Sequence, residues 1–173
     1  MKIPDLVVKD VQQSAVSRTY PDGVAYRSLA ATQIQRLSTE SGLSGRQIEL
    51  VACAEEIVPE RYARNRRKFS LADQAALLKT NVTVIGLGGL GGTVTEMLAR
   101  IGIGGLCLVD GDRFEDSNLN RQFLSTGDGI GQTKAAAAQQ RVAAINASVE
   151  VTVHELFLDQ QNGGQFLADA HMA

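Results

Sequence analysis

The stretch NVTVIGLGGLGG, from Asn81 to Gly92, sets a short apolar run directly against a cluster of glycines and is followed by the helical pattern TVTEMLARIG. Strand, tight turn and helix in that order make a phosphate-binding unit. Gly86 permits the sharp turn off the strand, Gly88 lets backbone N–H groups approach an anion, and Gly91 allows close packing of helix on sheet. The helix N-terminus then directs its partial positive charge at phosphate. Asp110, in VDGD, lies 24 positions after Gly86, where a carboxylate can accept hydrogen bonds from a ribose hydroxyl. These features alone suit NAD as well as ATP.

The next stretch, EDSNLNRQFLSTGDGIGQTKAAAA, separates the two. Asn118, Arg121 and Gln122 gather polar and cationic groups after the carboxyl end of the second strand, where ligands bind in such sheets. Lys134 falls in the first turn of an alanine-rich helix, where it opposes the helix dipole at a cost of roughly a few tenths of a kcal/mol. An anion between Arg121, Lys134 and the glycine turn would remove that conflict. Dinucleotide dehydrogenases need no second cationic cluster, whereas triphosphate chemistry does, because charge on a leaving pyrophosphate must be neutralised.

The elements that must position these groups follow from periodicity. Beyond Asn81 strand and helix alternate, as a parallel sheet with crossover helices requires. Strands are expected at 82–85, 106–109 and 149–153, an alanine-rich helix at about 132–145, and a last short helix around Gln165. Leu90, Val94 and Leu98 fall on one face of the helix after the glycines. Upstream, Leu29, Ile34 and Leu37 suggest a helix closed by Ser41-Gly42. A second is expected from Ser44, whose spacing to Gln47 makes a capping box, through Ile48, Val51 and Ile57, stopping before Pro59. Ser70 can cap a third, and TYPDGVAY carries a turn signal. The organisation divides near residue 80, with the front part read as an accessory helical layer.

Composition narrows the class. The 173 residues are 44% apolar and 21% charged with net charge -2, which fits a globular core with no general attraction to nucleic acid or membrane. No apolar run approaches the roughly 20 residues that span a bilayer, and MKIPDLVVKD lacks a secretory core, so a cytoplasmic location is expected. Cys53 and Cys107 read as buried thiols, and His154 and His171 as structural or surface residues. The run RYARNRRKF packs five cations into the eight positions from Arg61 to Lys68. Without an aromatic stacking series it ranks low as a nucleic-acid patch.

Taken together, GLGGLGG, VDGD, SNLNRQFL and GQTKAAAAQQRVAAIN resemble the ThiF/MoeB/HesA family, prokaryotic relatives of ubiquitin-activating enzymes, from about Arg61 to Asn146. The resemblance implies a Rossmann-like ATP-binding domain, preceded by a helical extension (residues 1–58) and occupying residues 59–173. It implies homodimers and adenylation of the C-terminal glycine carboxylate of a ubiquitin-like or sulfur-carrier protein, using ATP and Mg2+. Under it Gly86, Gly88, Gly89 and Gly91 hold phosphates, and Asp110 binds ribose. Asn118, Arg121, Gln122 and Lys134 surround the triphosphate, and Asp112 joins the nucleotide-binding set. RYARN resembles the family's RYxRQ, with Asn65 in place of glutamine, which makes Arg64 the arginine supplied to the partner subunit's ATP.

The family's magnesium-binding Asp is expected beyond Ala173, so the chain reads as lacking the C-terminal half of the domain, with Asp112 the nearest candidate for the metal role. Such a half-domain should expose apolar faces that further chain or a partner would cover. The remaining alternatives are a catalytically incomplete nucleotide- or carrier-binding module and an NAD-dependent oxidoreductase. No Ser/His/Asp arrangement or metal-ligand cluster is visible. Adenylation needs none, because the substrate's carboxylate is itself the nucleophile and the protein has only to align reactants and stabilise charge.

Overall fold

A computed structural model describes residues 3–167 together with Met172. The chain forms two compact units, Met1–Leu78 and Lys79–Ala173.

In the first unit, helix α1 (Asp5–Ser14) buries Val7 and Val11, one turn apart on one face. Strands β1 (Val16–Thr19) and β2 (Ala25–Leu29) pair antiparallel across the Pro21-Asp22-Gly23 turn, in which Gly23 takes φ 86°. Helix α2 (Ala31–Ser41) ends on Gly42 at φ 72°, a left-handed cap that glycine adopts without strain. Helix α3 (Gly45–Ala54) begins at the expected capping box: Ser44 accepts from the Gln47 N–H, and the Gln47 side chain accepts from Ser44 N–H at 2.8 Å. Helix α4 (Leu71–Lys79) is capped reciprocally by Ser70 and Asp73.

Leu29 and Ile57, expected in helices, lie in strands instead. Strand β3 (Ile57–Pro59) runs parallel to β2, with Arg27 opposite Ile57 and Leu29 opposite Pro59. Two acidic residues at the end of α3 oppose its dipole, and Glu56 then enters the left-handed region at φ 55°, which ends the helix before Ile57. Leu29, Ile34, Leu37, Ile48 and Ile57 close one core with α1. The front part is thus helical with a three-stranded sheet added, because pairing between segments about 30 residues apart leaves no local periodic mark.

The second unit follows the expected alternation closely. Strands β4 (Asn81–Ile85), β5 (Gly105–Val109) and β6 (Glu150–His154) form a parallel sheet in the order β4-β5-β6. Helices α5 (Gly89–Ile101) and α6 (Lys134–Ile145) make the crossovers, and α7 (Gly163–Leu167) follows β6. Met172 bridges in parallel to Val82, its carbonyl accepting from Thr83 N–H at 2.9 Å. Glu96 on α5, 5% exposed, holds Arg100 at 2.6 Å and Arg141 of α6 at 2.7 Å.

The orientation of α5, which periodicity left open, is set by the fold. Its buried face is Gly92, Thr95, Glu96 and Ala99, while Leu90 is 80% exposed and Met97 61%. Three small residues and the ion-paired Glu96 take the inner face, which leaves the apolar stripe outward. His154 packs its ring on Phe166 at 4.7 Å; His171 lies outside the described residues. No helix among the described residues is long and apolar enough to cross a membrane.

Candidate functional site

Gly86 leaves β4 at φ 82°, a conformation side chains rarely adopt, and its N–H donates to Val109 O at 2.8 Å, tying the turn to β5. Gly91 is required on packing grounds: a Cβ there would stand 1.7 Å from Gly86 O. At Gly88 and Gly89 the constraint is mild, since a Cβ would meet the Gln122 side chain at 3.8 Å and Arg121 O at 3.4 Å. Gly88 is the N-cap of α5 and gives it no side-chain cap, so the first-turn N–H groups face the turn with the dipole behind them. Gln122 borders this turn, 8% exposed, and its Oε1 has no hydrogen-bond partner. Because amide oxygen and nitrogen can be exchanged by a flip, this is a buried polar end free to meet a ligand.

Asp110 does more than the sequence indicated. Its Oδ2 accepts from Leu87 N–H at 2.6 Å and its Oδ1 from Asp112 N–H at 2.7 Å. The carboxylate therefore staples the glycine turn to the loop after β5, and each oxygen keeps a lone pair for a ribose hydroxyl. Asp112 continues the chain of contacts. Its Oδ2 pairs with Lys134 Nζ at 2.9 Å, and its carbonyl accepts from Lys134 N–H at 3.0 Å. Lys134 is buried at the first position of α6, after the Thr133 cap.

The expectation that an anionic ligand resolves the conflict between Lys134 and the helix dipole needs correction, since Asp112 supplies the anion from within the chain. Sequence spacing could not reveal that pair, whose members stand 22 positions apart in different elements.

Asn118 is buried and works locally, its Oδ1 accepting from Glu115 N–H at 3.0 Å while its carbonyl accepts from Gln122 N–H at 2.9 Å. Arg121 has its backbone beside Gly89, but the guanidinium turns back to donate to Ser117 O and to Asn120 Oδ1. The second unit thus joins Gly86, Gly88, Gly89, Gly91, Asp110, Asp112, Gln122 and Lys134 into one connected set, with Asn118 shaping the loop and Arg121 at its border.

Arg64 belongs to the first unit, where it lines a cavity of about 230 Å³ with Tyr20, Asp22, Arg66 and Arg67. Its neighbours in RYARN are anchors. Tyr62 donates to the fully buried Glu49 at 3.0 Å, and Arg61 pairs with the same carboxylate at 3.4 Å. Glu49 escaped the sequence reading because a glutamate on an apolar helix gives no sign of its partner. Arg66 donates to Phe69 O, so the basic run is partly committed to its own fold. Burial, reinforced by Glu49, pushes the Cys53 thiol up to about 12, and burial also raises that of Cys107, which is half-buried where the sequence led one to expect a buried thiol. Among the described residues no three His, Cys, Asp or Glu side chains are grouped to hold a metal ion.

A model of the ThiF family matches residues 62–172. The sulfur carrier protein adenylyltransferase of Thermus thermophilus is 39% identical over 94 residues, which cover 54% of this chain and 35% of that protein. The sulfur carrier protein ThiS adenylyltransferase of Escherichia coli is 40% identical over 102 residues, 59% of this chain and 39% of that one. Among solved structures, the E. coli tRNA N6-threonylcarbamoyladenosine dehydratase in complex with ATP aligns with a TM-score of 0.61 at 31% identity, covering 62% of this chain and 44% of that chain. The chain spans less than half the length of these relatives.

Proposed function

The chain belongs to the ThiF family, and from that premise we propose that the protein adenylates the C-terminal glycine carboxylate of a ubiquitin-like or sulfur-carrier protein, with release of pyrophosphate. The observation that carries this is the connected set running from the uncapped glycine turn through Asp110 and Asp112 to Lys134, beside the unpartnered amide of Gln122. When ATP is bound, a carboxylate oxygen of the carrier attacks the α-phosphorus as the bond to pyrophosphate breaks. The residues of this chain then orient and neutralise. The N–H groups of the glycine turn and Gln122 hold phosphate oxygens, Asp110 fixes the ribose, and Lys134 and Arg121 offset charge on the departing pyrophosphate.

In this reading Arg64 serves the site of a second copy, as an arginine supplied in trans. A homodimer is favoured by the outward stripe of Leu90, Val94 and Met97 on α5. Magnesium does not find a ligand set among the described residues, where Asp112 is engaged by Lys134, and no step is assigned to it.

The test is exchange of labelled pyrophosphate into ATP by the full-length protein, with a carrier ending in a free glycine carboxylate and with the same carrier amidated. Exchange is expected with the free carboxylate only. Exchange indifferent to amidation, or tighter calorimetric binding of NAD than of ATP, would overturn the proposal.

A further inference from the structure

We infer that Phe157 is the wall on which the base of the bound nucleotide stacks, an assignment that rests on the nucleotide reading above and adds an affinity-determining residue to it. The loops after β5 and β6 leave the same edge of the sheet, since Asp110 N–H donates to His154 O at 3.1 Å. Three residues past His154, the ring of Phe157 lies against Gly111. A Cβ at position 111 would stand 2.7 to 2.8 Å from its Cδ2, Cε2 and Cγ atoms. The ring therefore touches the residue that separates Asp110, which is placed to hold ribose, from Asp112, which holds Lys134.

Phe157 is nonetheless 68% exposed, and its segment is held in place. Its carbonyl accepts from Asn162 Nδ2 at 3.0 Å, and Asp159 Oδ1 accepts from Gln161 N–H at 2.8 Å and Asn162 N–H at 2.9 Å. An exposed aromatic ring against glycine, on a backbone turn held by its own hydrogen bonds and one residue from the ribose carboxylate, is placed to take a base plane. Gly111 is what allows it to lie there. Because every base has a π-face, stacking of this kind favours a nucleoside over a bare polyphosphate and does not choose among bases.

The test is calorimetric titration of the protein and its variants with ATP, GTP and inorganic tripolyphosphate. Phe157→Ala should weaken ATP and GTP by a similar factor of about 10 and leave tripolyphosphate unchanged. Phe157→Trp should keep wild-type affinity, and Gly111→Ala, which displaces the ring, should reproduce the loss. Thermal melts of each variant exclude unfolding, and Phe157→Leu provides an apolar side chain without a π-face should the alanine variant fail to fold. Unchanged ATP affinity in both the alanine and leucine variants, or an equal loss for tripolyphosphate, overturns the assignment while leaving the nucleotide site intact. Failure of the wild-type protein to bind ATP overturns both.

Discussion

Replacing Lys134 by alanine removes the one buried cation of the connected set and leaves Asp112 without its partner at 2.9 Å. The two effects act in the same direction on a triphosphate, since a positive charge is lost and a negative one is unmasked. A hydrogen bond to a charged group is worth about 1.5 to 3 kcal/mol, so ATP affinity should fall by roughly 10- to 150-fold. The effect on folding should be smaller. Asp112 is 52% exposed, and solvent screening holds such a pair to about 1 kcal/mol or less.

Calorimetric titration with ATP, set beside urea denaturation of the same proteins, separates the two quantities. Adding Asp112→Asn to the alanine variant should recover part of the affinity, because the unmasked charge is gone, and Asp112→Asn alone should bind ATP at least as tightly as wild type. If Lys134→Ala lowers ATP affinity less than twofold while costing the same stability as Asp112→Asn, Lys134 is a structural ion-pair partner and the triphosphate argument fails.

Three further outcomes are expected. Gly91→Ala sets a Cβ 1.7 Å from Gly86 O and should cost about 3 kcal/mol or more, by overpacking against backbone. Gly86→Ala meets open space at φ 82° and should cost about 1 to 2 kcal/mol; chemical denaturation that reversed this order would contradict the turn geometry. Mixing Arg64→Ala protein with Lys134→Ala protein should restore pyrophosphate exchange through one hybrid site per heterodimer, and no recovery in a verified heterodimer would place Arg64 outside the partner's site. The hydrogen bond from Arg141, aided by Arg100 and opposed by burial, holds the Glu96 carboxyl below its usual range. Its contribution is therefore fully present above its unfolded pKa of about 4.3 and is lost as pH falls through the lower folded value. Glu96→Gln should flatten the acid limb of the stability curve, and an unchanged limb would show that the network does not couple to folding.

The sequence by itself determined those features whose causes are local. The glycine turn, the boundaries of β4, β5 and α6, and the caps at Ser44 and Ser70 each follow from a few consecutive residues that restrict φ and ψ or satisfy a helix end. The positions of Asp110 and Lys134 at the carboxyl edge of the sheet follow too, because the crossover rule fixes where loops emerge. Only the tertiary structure decided what depends on partners distant in sequence. Spacing could not show that Asp112 neutralises Lys134, that Asp110 takes the Leu87 N–H, or that Glu49 anchors Arg61 and Tyr62. Periodicity placed Leu90 and Val94 on one face of α5 but could not say which way that face points; the close approach of Gly91 and Gly92 to the turn settled it. Leu29 and Ile57 joined strands because β2 and β3 found one another in space, an energy that belongs to the pair and is written in neither segment alone.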